Sequence, residues 1–186
     1  MLRTLPQTRD YSQLHRLAAA AVFTLLTIIA ARVTIETGGP VPFTLQPLAV
    51  LLAGLVLGSR DGALSQLAYI GLIATGLPLD ARMLGPAALV GPTAGFLIGF
   101  VAAAFVAGYL MEHGANRVWQ RWLAGVVAIL VLYALGVLWL SVYAGMDLGA
   151  AWAAGAAPFL PFDLGKALIA AAGAEGARAL LLRNRL

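Results

Sequence analysis

Hydrophobic residues fill this chain in blocks, and polar positions are confined to short breaks between them. The first charge-free block, residues 17–31, follows Arg3, Arg9 and Arg16 and extends past Arg32 to Ile35, which predicts a membrane helix of about 20 residues. A signal peptide cleaved near Ala30 and Ala31 is the alternative, and the apolar blocks that continue to the C-terminus favour the helix. Glu36-Thr37-Gly38-Gly39-Pro40-Val41-Pro42 reads as a loop. A second helix is predicted over 44–57, with Pro47 in its first turn, then a tight polar turn over 58–62 and a third helix over 63–77. Residues 78–92 read as irregular. A fourth helix is predicted over 93–111, a solvent loop over 112–121 and a fifth helix over 122–143. Residues 145–161 are Ala-rich, with Pro158 and Pro161 framing Phe159-Leu160 in a bend, and a sixth helix starts near Phe162 or Asp163 and ends near Leu182.

Composition turns these blocks into a fold class. Of 186 residues, 61% are hydrophobic and 11% charged, and the mean hydropathy is +0.90. Soluble domains carry about a quarter charged residues, so a soluble enzyme, a disordered tail and a fibrous chain are all excluded. The expectation is an all-α integral membrane protein, a single transmembrane domain over 1–186, with six transmembrane helices. The 37 Ala and 21 Gly predict close helix packing. Gly54, Gly58 and Gly62 form one row at fourfold spacing, and Gly91, Gly95, Gly99, Ala103 and Ala107 another, read as internal packing ahead of a docking surface for another protein.

Charge tests the helix count. Six crossings gather Arg3, Arg9, Arg16, Arg60, Arg117, Arg121, Arg178, Arg183 and Arg185 on one side and leave Arg32, Arg82 and Lys166 on the other, while the eight acids divide evenly. Lys/Arg bias sets orientation, so both termini are expected in the cytoplasm, with the chain in the cell (inner) membrane among lipid. The net charge of +4 reflects this scatter, and no nucleic acid is expected. There is no cysteine, which removes disulfides and thiolate metal sites.

Enzymatic constellations are missing. His15 and His113 have no partner at metal-ligand spacing. Lys166 is the sole lysine, and its surroundings lack the glycines and hydroxyl of a phosphate-binding loop, so the chain is not expected to hydrolyse ATP. No cofactor is expected. What remains are polar groups at the outer helix ends. Asp163 and Lys166 lie three apart, on one helix face, beside a Pro-bounded segment, and ionisable groups at membrane depth point to function. The competing reading makes Asp163 a helix cap paired with Lys166. Thr44 and Gln46 offer uncharged hydrogen bonds or capping. Asp80 and Arg82 form a local ion pair, or Arg82 gathers an anionic group. Thr93 opens the fourth helix beside Phe96, which with Phe159 and Trp152 would wall an apolar pocket. Glu175 is read as the partner of Arg178.

Four blocks carry a resemblance. Gly39-Pro40-Val41-Pro42-Phe43-Thr44-Leu45-Gln46 resembles the V-P-x-T-L-Q signature of the biotin-transporter substrate-binding subunits (BioY) of energy-coupling factor transporters. The run over 51–58, LLAGLVLG, resembles the glycine-rich run that follows. Gly76-Leu77-Pro78 and the stretch over 91–100, GPTAGFLIGF, are similar to the family's GLP and GPTGGYLIGF blocks. Residues 158–166, PFLPFDLGK, resemble its P-F-x-P-x-D-x-x-K block. The blocks keep the same order over about 130 residues. This chain departs from the pattern at Leu79-Asp80-Ala81-Arg82 after GLP, at Ala94 and Phe96 for Gly and Tyr, and in helix one. There Ala20-x-x-x-Thr24 is the nearest small pair to the A-x-x-x-A pattern for docking a coupling subunit.

The resemblance implies a six-helix subunit, not an enzyme, that binds biotin from outside, with Asp163 and Lys166 in the site. It also implies partners, a transmembrane coupling subunit with ATPase subunits, and leaves a homo-oligomer open. Asp163 would accept a ureido N–H and Lys166 would donate to the ureido oxygen or the carboxylate. Arg82 would meet the carboxylate, and Asp80, Thr44, Gln46, Thr93 and Phe96 would complete the pocket. Three alternatives stand beside it: a solitary subunit that works without those partners, a related subunit for another vitamin, and a membrane-embedded enzyme acting on lipid with Asp163 as general base.

Overall fold

The computed structural model describes residues 12–115 and 117–183, with side-chain surroundings to residue 177. Arg3, Arg9 and Arg185 lie outside the described residues, as do the side chains of Arg178 and Arg183. The chain order is α1 (Gln13–Arg32), β1 (Thr34–Ile35), β2 (Phe43–Thr44), α2 (Gln46–Leu57), α3 (Ser59–Ala74), a 3-10 turn (Gly85–Leu89), α4 (Ala94–Glu112), α5 (Val118–Ala144), α6 (Leu148–Gly155) and α7 (Leu160–Arg183). The protein is mostly helical. Among the described residues α1, α4 and α5 are long and apolar enough to cross a membrane, and α2 is a shorter apolar helix.

The boundaries differ from the sequence expectation where a single residue does work that composition assigned to several. Gly58, at φ +85°, reverses the chain alone. The segment 59–62 is therefore the first turn of α3 rather than a polar turn before it, and Asp61 sits there, where negative charge suits a helix N-terminus. The predicted solvent loop over 112–121 shrinks because α4 runs to Glu112 and α5 starts at Val118. Arg121 is 1% exposed; its Nε–H bonds the carbonyl of Ala115 at 3.1 Å and its Nη1 pairs with Glu175. The Ala-rich stretch after Gly145 holds an extra helix, α6, whose first turn is capped by Asp147 accepting from the Ala150 N–H at 2.9 Å.

Small residues do bring the helices together. A Cβ at Gly54 would stand 2.3 Å from the Ala104 carbonyl oxygen, one at Gly95 2.2 Å from the Trp139 Cβ, and one at Gly108 2.3 Å from the Ser59 nitrogen. These contacts weld α2 and α3 to α4, and α4 to α5. The buried stripe of α1 is Ala20, Thr24, Thr27 and Ala31, and it faces α3. Thr24 donates to the Ser65 carbonyl at 2.8 Å, and Gln66 donates to Thr27 at 3.2 Å. The Ala20/Thr24 pair is thus spent inside the subunit.

At one end of the bundle, β1 and β2 form a two-residue antiparallel ribbon pairing Thr34 with Thr44 and Ile35 with Phe43. It holds the loop over 36–42 next to the entrance of α2. The irregular stretch over 78–92 lies on the same end.

Candidate ligand-binding site

That end encloses a cavity of about 680 Å³, including its mouth, between α2, α4, α5, α7 and the two loops. Phe43, Phe96, Leu97, Phe100, Leu132 and Phe159 make much of it apolar. Of the pocket residues singled out from the sequence, Thr44, Gln46, Asp80, Arg82, Thr93, Phe96, Phe159, Asp163 and Lys166 line it. Trp152 does not; it packs edge-on against Tyr133 with ring centroids 6.1 Å apart.

The floor is ionic. α7 begins at Leu160, with Pro161 in the first turn, where its missing N–H is harmless. Asp163 is already inside the helix, its own N–H bonded to the Phe159 carbonyl at 2.9 Å. Its carboxylate instead receives Lys166 Nζ on Oδ1 at 2.6 Å and the Tyr133 hydroxyl on Oδ2 at 2.5 Å. Lys166 also donates to the Thr44 carbonyl at 2.6 Å and lies 4.0 Å from the centroid of the Phe43 ring, a cation–π contact. Asp163 and Lys166 are 2% and 6% exposed. An ammonium has three donors, and two of them are matched by these hydrogen bonds.

Thr44 and Gln46 take structural duties as well. The Thr44 hydroxyl accepts the Gln46 N–H at 3.2 Å. The Gln46 amide donates to the Tyr69 hydroxyl at 2.8 Å, which donates in turn to the Leu79 carbonyl at 3.3 Å. Thr93 flanks α4 and its side chain makes no capping bond. Phe96 fits a slot between two glycines: Cβ atoms at Gly136 and Gly155 would come within 2.3 and 3.1 Å of its ring.

The two loops are tied together rather than left as separate walls. Asp80 and Arg82 do not form the expected side-chain ion pair. Asp80 accepts the backbone N–H groups of Arg82 and Gly85 at 3.0 and 2.7 Å, shaping its own loop. Arg82 grips Glu36 with Nε at 3.0 Å and Nη2 at 2.8 Å, and donates to the Pro40 and Gly39 carbonyls at 3.0 Å each. The Arg82 guanidinium holds the Glu36 carboxyl below the usual carboxylate range. Sequence reasoning missed Tyr133 and Glu36. Tyr133 lies in a charge-free run that also holds Tyr143, and the need of a buried Tyr hydroxyl for a partner is the one signal that could have marked it.

A family model described as the BioY family matches residues 5–183. The chain belongs to the BioY family. It is 43% identical over 159 residues to the biotin transporter BioY of Thermotoga maritima, covering 85% of this chain and 92% of that one. To the biotin transporter BioY of Rhodobacter capsulatus it is 45% identical over 163 residues, 81% of this chain and 84% of that one. A solved structure, the S-component for biotin from an ECF-type ABC transporter, superposes with a TM-score of 0.83 at 24% identity, over 90% of this chain and 92% of that one. The chain therefore has the S-component fold and is a multi-pass membrane protein of a transporter family, not an enzyme.

Proposed function

We propose that this BioY-family chain captures biotin from the outer side of the inner membrane and mediates its uptake. The observation that carries this is the desolvated Asp163–Lys166 pair at the floor of an apolar cavity, in a chain whose relatives are biotin transporters. Biotin joins an apolar fused ring to a cyclic urea, which offers two N–H donors and one carbonyl, and to a carboxylate tail. Asp163 accepts a ureido N–H, and the remaining donor of Lys166 serves the ureido oxygen or the carboxylate. Thr44, Gln46, Thr93 and Phe96 complete the walls, and Asp80 and Arg82 shape the mouth. The Arg82 clasp on Glu36 moves that arginine from the role of carboxylate receptor to that of a strap, with one N–H still uncommitted.

In this reading α1 to α5 and α7 cross the membrane and α6 lies on the outer side, with both termini cytoplasmic. Side-chain contacts support it: Arg16–Asp61 and Arg121–Glu175 join residues assigned to one side, and Arg82–Glu36 joins residues assigned to the other. Energy comes from ATPase subunits through a transmembrane coupling subunit, since the sequence holds no phosphate-binding loop. Equilibrium titration of labelled biotin into the purified chain in detergent tests the proposal. Saturable binding that other vitamins fail to displace is the expected result; no binding, or displacement by another vitamin at lower concentration, overturns it.

A further inference from the structure

Both oxygens of Asp163 are held by the protein, and the two holders come from different helices. Lys166 is on the same helix, one turn away; Tyr133 reaches across from α5. A carboxylate has about four lone-pair positions, so two stay open to a ligand in the cavity that Asp163 and Tyr133 both line. The terminal torsion of Asp is broad. With Lys166 as the only grip, the carboxylate could swing until both oxygens face the ammonium, and its open positions would turn with it. A second donor on Oδ2 stops that rotation. The Tyr133 ring is itself buttressed edge-on by Trp152 of α6, at an interplanar angle of 85°, which gives the extra helix a task.

We propose that Tyr133 is a positioning residue for ligand recognition: its hydroxyl fixes the plane of the Asp163 carboxylate so that the open lone pairs meet the N–H groups of a cyclic urea. The proposal rests on the biotin reading of the site. It makes Tyr133 act through Asp163 rather than by direct contact, and that is what the test separates.

Biotin is titrated into wild type, Tyr133→Phe, Asp163→Asn and the double variant in one detergent. Tyr133→Phe keeps the ring and its packing and removes one charge-assisted hydrogen bond; its affinity is expected to fall roughly tenfold. In the Asp163→Asn background the same change is expected to cost less than twofold. A second readout is the infrared carboxylate band of Asp163, isolated as wild type minus Asp163→Asn. It is expected to shift in Tyr133→Phe before biotin is added and to respond less to biotin. Wild-type affinity in Tyr133→Phe, an equal loss in both backgrounds, an unshifted band, or failure of unliganded Tyr133→Phe to fold would each overturn the proposal. If wild type itself ignores biotin, it is the function that fails.

Discussion

Lys166 and Asp163 form a salt bridge where water hardly reaches, and such pairs respond asymmetrically to mutation. Removing one partner leaves the other charged and desolvated, a loss of about 3–5 kcal/mol, whereas neutralising both is often tolerated. Lys166→Met alone is therefore expected to lower the melting temperature in detergent. Asp163→Asn combined with Lys166→Met should regain most of it, because Asn can still accept from Tyr133. Neither variant should retain biotin, with about 2–5 kcal/mol of binding lost in the single variant. Differential scanning fluorimetry with and without biotin reads both effects; a double variant less stable than the single would refute the reasoning. The pair itself was legible in the sequence, because two ionisable residues three apart on one apolar helix have few other uses. Tyr133 was not, since nothing within α5 marks one phenol as the partner of a carboxylate 30 positions later. Arg82 was legible as a charge and not as a clasp, because its partner Glu36 lies 46 positions away on another loop.

At the scale of elements, glycine placement decides where aromatic rings can go. The Phe96 ring occupies space a Cβ at Gly136 would need, at 2.3 Å. Gly136→Ala is expected to push the ring into the cavity, destabilise the fold by about 1–3 kcal/mol and weaken biotin more than it weakens a smaller cyclic urea. Comparing the two affinities checks this; equal losses would mean the ring escapes elsewhere. The loop clasp gives a pH dependence. Arg82 depresses the Glu36 pKa, so the clasp's contribution is in full force above the unfolded carboxyl value near 4.3. It is lost as pH falls through the lower, folded value. The biotin dissociation rate is expected to stay flat from neutral pH down to that window and rise within it, and Glu36→Gln should already be fast at pH 7. Unchanged rates in Glu36→Gln would show that the clasp does not restrain the mouth. Hydropathy blocks located the long helices because burial in lipid needs an unbroken apolar run. They missed the start of α3 because Gly58 alone turns the chain, and they missed α6 because an eight-residue helix capped by Asp147 has the composition of a loop.

The whole molecule must reconcile a bundle of unequal helices with one bilayer. α5, at 27 residues, spans about 40 Å and exceeds a hydrocarbon core of about 30 Å. α2, at 12 residues, spans only about 18 Å. A crossing through α2 must be completed by the irregular backbone of the ribbon and the loop over 36–42, and such backbone is tolerated at membrane depth only where protein or a water-filled cavity satisfies it. In the proposed reading the short helix, the clasp and the cavity are one solution: α2 is short, and the space beyond its end becomes the site. The proposed six-crossing reading puts the two ends of α5 on opposite sides, with His113 before it in the cytoplasm and Leu148 after it outside. The absence of native cysteine makes the assignment easy to probe, because a single introduced thiol is the only one in the chain. Leu148→Cys, at a position 55% exposed, is expected to react with a membrane-impermeant maleimide in intact cells. His113→Cys is expected to react only after the membrane is opened. Labelling of both in intact cells, or of His113→Cys alone, would break the six-crossing arrangement, and with it the claim that the ionic floor is reached from outside.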